Sequence, residues 1–103
     1  MASGIHLVNA VGPPVLAARS GWVVHVEANT ATLGNLVIVE HANGFRTLYG
    51  HLNSYSVVKG QWVSTLQTIG RVGNTGRSTG PHLHFSVIRN GRPEDPLRHL
   101  ASR

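Results

Sequence analysis

The chain has 103 residues, no cysteine, and a formal charge of +5 from nine Lys/Arg against four acids. Without cysteine, a thiolate metal site, a Cys nucleophile and a disulfide framework are excluded. Only 13% of residues are charged, 12 are glycine and 41% are hydrophobic, which suits one small, turn-rich β domain spanning 1–103 rather than a helical bundle.

The basic residues are densest at Arg71, Arg77, Arg89, Arg92 and Arg98. They are not interleaved with aromatics, so they favour anionic surroundings such as a cell envelope and argue against nucleic acid. No apolar run is long enough to form a transmembrane segment. The N-terminus shows no basic region followed by an apolar stretch, so no signal peptide is visible.

In chain order, Gly4 to Ala10 reads as a short strand. Pro13 and Pro14 mark an edge or a loop, because proline cannot donate within a central strand. Extended structure resumes at Val15–Ala18. Trp22–Glu27 alternates, with Trp22, Val24 and Val26 expected on one face and Val23 and His25 on the other. Leu36–His41 is β-branched and strand-like. Asn43-Gly44 is a hairpin signal, and Phe45–Leu52 is the returning strand. Val57–Val63, with a turn at Lys59-Gly60, and Thr68–Gly73 follow. Asn74–Pro81 is a loop of small polar residues leading into His82-Leu83-His84-Phe85-Ser86. Asn90-Gly91 ends that strand in a second hairpin-type turn, and Pro96–Leu100 is expected to form one helical turn. Helical periodicity is otherwise absent. The architecture is a small, mostly antiparallel β domain.

Side chains at i and i+2 of a strand share a face, so His82 and His84 project together with Ser86 next in the row. Paired imidazoles suit a transition metal, or one ligand beside one general acid/base. The acids Glu27, Glu40, Glu94 and Asp95 do not neighbour this strand or the first one in sequence, so paired-carboxylate chemistry is unsupported. No serine has the elbow context of a Ser-His-Asp hydrolase. A hydrolytic site would run on imidazole with a metal activating water, a role that suits zinc. Among the other histidines, His51 ends a strand and reads equally well as a surface residue. His25 reads as structural, and His41 and His99 as solvated.

Gly12–Ala17, Gly34–Ile38, His41–Gly44, Leu48-Tyr49-Gly50-His51-Leu52, Lys59–Val63, Ile69–Gly76 and Ser78–Phe85 occur in order along nearly the whole chain. This set resembles the LytM/lysostaphin-type zinc metallopeptidases, peptidase family M23. The resemblance implies a mostly β, single-domain antiparallel fold of the duplicated hybrid motif type. It also implies cleavage of peptidoglycan peptide, or another peptide, outside the cell or in its envelope. It would make His84 a zinc ligand, with His51 and His82 as catalytic residues that orient water and stabilise the oxyanion.

Two further family ligands come from an H-x-x-x-D motif in the first strand. Here Ala2 stands at the His position and His6 at the Asp position, leaving a more cationic site. Ser86 replaces a frequent Glu, and Leu66 a frequent Gly. The expected zinc set is then His6, His84 and one of His82 or His51, with His82 preferred, in a monomer. Two alternatives are a catalytically impaired LytM-like binding or regulatory module and an engineered metal-binding scaffold on this fold.

Overall fold

The structure, a computed structural model, describes residues 4–8, 12–76 and 82–94, with side chains over 12–76 and 83–93. Its strands are β1 (Gly4–Val8), β2 (Pro14–Leu16), β3 (Gly21–Thr30), β4 (Gly34–Glu40), β5 (Phe45–Tyr55), β6 (Trp62–Val63), β7 (Thr68–Val72), β8 (His82–Arg89) and β9 (Arg92–Glu94). All pair antiparallel, in the path β1-β8-β5-β4-β3-β6, with β9 beside β8 and β7 joining β5 to β2. The expected antiparallel β architecture is the one observed. The expected helical turn at Pro96–Leu100 lies outside the described residues.

Pro14 opens the short strand β2, which pairs with β7, as a residue without an N–H must. The β4–β5 connection is a turn over Ala42–Gly44 with Asn43 at φ 65° and Gly44 at φ 76°. Asn90 and Gly91, at φ 51° and 79°, turn β8 into β9. Both turns use residues that tolerate the left-handed region.

β3 departs from simple alternation. A register shift against β4 between Val23 and His25 resets which side chains face inward, as a bulge does. Val23 is therefore in the core and Trp22 is 53% exposed, while Val26 packs against the core from its rim. Trp22 and Val26 do not share a buried face. Trp22 instead meets Trp62, its partner on β6, edge to face with ring centroids 5.0 Å apart. The core is built from Val15, Val23, Val37, Val39, Tyr49, Leu52, Val63, Ile69, Val72, Leu83, Phe85 and Val87 among others. Aliphatic side chains together with the rings of Tyr49 and Phe85, all carried by strands and their connections, fill the interior among the described residues.

His41 is half-buried rather than solvated. Its Nδ1–H donates to the Ser20 carbonyl at 2.8 Å, and its Nε2 lies 2.7 Å from Thr47 Oγ1. Thr47 Oγ1 is 2.8 Å from the buried Tyr49 hydroxyl, which accepts the Ala18 N–H at 2.9 Å. A neutral His41 satisfies this chain, with Tyr49 donating to Thr47 and Thr47 to Nε2. A second ring proton would turn Nε2 into a donor, and one hydroxyl proton would lose its acceptor within the chain.

Burial holds the His41 imidazole below its ordinary value of 6.5; Arg19 adds to this, while the Ser20 carbonyl opposes it. Because the folded value is the lower one, His41's contribution is complete above 6.5 and is lost as pH falls through the folded value. Melting curves should show the wild type losing more stability than His41→Gln between about pH 7 and pH 5. Parallel losses would contradict this account.

Leu66 holds φ 67° in the turn where its N–H donates to the Ala17 carbonyl, and its side chain is 66% exposed. A left-handed leucine with little packing is strained. Leu66→Gly should stabilise the fold by roughly 0.5–1 kcal/mol, after subtracting glycine's larger unfolded-state entropy. An unchanged or lower denaturation midpoint would count against that strain.

Candidate active site and metal centre

The site forms where β5 changes partner. Up to Gly50, β5 pairs with β8, the last pair being Gly50 opposite His84. From Leu52 onward it pairs with β7. Against β4, Tyr49 faces Val37 and Leu52 faces Asn35. Three steps along β5 therefore match two along β4, and the extra residue makes a bulge at Gly50-His51. His51 occupies it at φ 60°. Bulges re-aim side chains and cluster beside functional sites.

His51 is thus inside a strand and buried, only 3% exposed, not a surface residue at a strand end. Its backbone N–H donates to the Leu33 carbonyl at 2.7 Å. Its Nδ1 lies 2.6 Å from the Thr75 carbonyl. A carbonyl can only accept, so Nδ1 carries the ring proton and Nε2 is the basic nitrogen of the neutral ring.

β8 supplies the second histidine. His84 is half-buried, and its ring stands perpendicular to that of His51 with centroids 6.1 Å apart. Its Nε2 is 2.9 Å from the hydroxyl of Ser86, a residue only 4% exposed. With Nε2 committed to Ser86, ligation by His84 would go through Nδ1. A metal-binding imidazole commonly has its other nitrogen anchored in this way. A Cβ on Gly50 would come within 3.5 Å of the His84 Cβ and 3.1 Å of the Leu33 side chain. Glycine there leaves room between the strands.

β1 supplies the third position. His6 is directly opposite His84 in the ladder, Gly4 opposite Ser86, and Val8 opposite His82. His82 precedes His84 by two residues on β8. Directly opposed residues of an antiparallel pair have Cβ atoms about 4.5–5.5 Å apart. The backbone therefore brings the His6, His82 and His84 positions together beside His51. The side chains of His6 and His82, and all of Ala2, lie outside the description. Among the described residues, no group of three or more His, Asp or Glu gathers on one point. His25 is not part of this region: it is exposed and sits 2.9 Å from Glu27 Oε1. His99 lies outside the described residues.

The model of the family described as Peptidase family M23 matches residues 1–96. The chain belongs to that family. Among relatives of this M23 chain, the peptidoglycan DD-endopeptidase ShyA of Vibrio cholerae serotype O1 is 43% identical over 96 residues. That match covers 93% of this chain and 22% of the relative, so the chain spans about a fifth of that protein's length. The catalytic domain of the antimicrobial peptidase lysostaphin from Staphylococcus simulans superposes with a TM-score of 0.91 at 36% identity, covering 99% of this chain and 80% of that one. A zinc-containing peptidase from Vibrio cholerae gives 0.87 at 40% identity, covering 90% of this chain and 28% of that one. The fold is therefore that of the LytM/lysostaphin-type M23 peptidases.

Sequence reasoning placed Ser86 in the row with His84 without assigning it a role, and it passed over Thr75. Thr75, in a loop read only as small and polar, holds His51. Ser86, noted as a departure from the family, holds His84. The spacing of Ser86 two residues after His84 was the available signal. Nothing local in sequence pairs Thr75 with His51.

Proposed function

We propose that this chain is a zinc-dependent hydrolase of peptidoglycan peptide bonds whose metal is held by imidazoles alone. His84 and His6 would be ligands, with His82 as the third. The observation that carries this reading is the β1–β8 register, which sets His6 opposite His84 and beside His82. The donor set fits: neutral imidazole suits zinc, and the Ser86 hydroxyl anchors the far nitrogen of His84. Zinc, when bound, supplies Lewis acidity that polarises a carbonyl and lowers the pKa of water.

The protein's own residues would do the rest. His51, fixed with its proton on Nδ1, would use Nε2 to take a proton from the attacking water and return it to the leaving amine. His82, taken up as the third ligand, would no longer donate toward the developing oxyanion as the resemblance implies, and hydrolysis would be slower for it. Peptidoglycan as substrate is supported by ShyA's name, and it sets the place of action in the cell envelope or outside it. No described helix is long and apolar enough to cross a membrane.

The test is digestion of purified muropeptides by zinc-loaded protein, followed by mass spectrometry. Cleavage should appear, and His51→Ala should reduce it by about 100-fold or more. Zinc-loaded protein that leaves every peptide bond intact would sink the hydrolase reading. A second reading, a LytM-like binding module, is favoured by Ala2, which has no donor atom where the family carries a ligand. Muropeptide binding without zinc and without cleavage would support it.

A further inference from the structure

His51 sits in a strained conformation, φ 60°, and two segments converge on its strand to hold it. The Leu33 carbonyl accepts its N–H, and the Thr75 carbonyl accepts its Nδ1–H. Thr75 is itself tied down. Its hydroxyl donates to the Leu52 carbonyl at 2.7 Å and accepts the Asn35 N–H at 3.1 Å. Asn35 Nδ2 donates to the same Leu52 carbonyl at 2.9 Å. On either side of these contacts Gly34 and Gly76 adopt φ 62° and 73°, and a Cβ on either would collide with the opposing segment's backbone.

We propose that Thr75 is a positioning residue for His51: its hydroxyl clamps the loop after β7 onto β4 and β5 so that its own carbonyl selects the Nδ1–H tautomer. Neutral imidazole in water favours the other tautomer, with the proton on Nε2. The clamp reverses that preference and makes Nε2 the nitrogen able to accept a proton. The importance of this for catalysis rests on the hydrolase reading above, whereas the tautomer itself does not. The hydroxyl is the part of Thr75 that a side-chain change removes, since every variant keeps the carbonyl. What changes is whether the carbonyl stays within 2.6 Å of Nδ1.

The experiment is long-range ¹⁵N–¹H correlation NMR of the full chain, as purified and after chelation, at about two pH units above the ordinary imidazole value. In wild type and Thr75→Ser, His51 should be a single Nδ1–H tautomer. In Thr75→Val and Thr75→Ala, that form should be lost to a mixture dominated by Nε2–H. A Thr75 with a merely structural role would lower the melting temperature of Thr75→Val and leave the tautomer unchanged, and that result overturns the proposal. An Nε2–H ring in wild-type protein overturns it as well, whether or not the variants fold. Failure to cleave muropeptides would leave the tautomer result standing, so the two readings fail separately.

Discussion

His84→Ala is expected to abolish tight zinc binding while leaving the fold in place. His84 is the central position of the proposed site, with His6 across the ladder on one side and Gly50 on the other. Its ring is already oriented by Ser86, so little ordering is needed when a metal binds. Removing it leaves His6 and His82, and two adjacent imidazoles make a weak site. The loss should exceed the roughly 100-fold drop that removing an outer-shell partner can cause. The ring is only half-buried, and the neighbouring core residues Leu83 and Phe85 are untouched, so thermal unfolding of the metal-free variant should stay close to wild type. Competition against a chelating dye reads the affinity. A zinc affinity equal to wild type would remove His84 from the ligand set.

Gly76→Ala should be the most damaging small substitution near the site. Gly76 sits at φ 73°, and a Cβ there would strike Gly34 N, Gly34 Cα and the Leu33 carbonyl carbon. All three are backbone atoms that cannot rotate aside. Left-handed strain and steric overlap together should cost about 3 kcal/mol. For a chain of this size that is a fall of more than about 10 °C in melting temperature. The clash also pushes Leu33 and Thr75 apart, the two residues whose carbonyls hold His51. Hydrolysis, where measured, should fall further than the lost stability explains. A variant melting within a degree or two of wild type would contradict the close approach of these segments.

Much of this was legible in the chain because β patterning is local. The β-branched run of β4, the Asn43-Gly44 and Asn90-Gly91 turns and the spacing of His82, His84 and Ser86 each announce themselves within a few residues. The resemblance to M23 sequences then ordered those pieces into a fold. What stayed hidden depends on register. The bulge near Val24 set Val23 and Val26, expected on opposite faces, both toward the core, and split Val26 from the exposed Trp22. The extra residue at Gly50-His51 turned an apparent strand-end histidine into a buried one. His41 looked solvated because its partners Ser20 and Thr47 meet it only after β3, β4 and β5 pair. Thr75 acts across 24 residues on His51, a separation that no periodicity reveals. Leu66, read in sequence only as standing where the resemblance has a frequent glycine, turns out to hold a left-handed position at φ 67°.

The central claim is that imidazoles alone hold a metal here despite Ala2. Zinc titration of chelator-stripped protein, with metal analysis after desalting, tests it most directly. One zinc retained per chain with sub-micromolar affinity is the predicted result. No zinc retained would contradict the account and leave a folded M23 domain whose role is to bind rather than to cut.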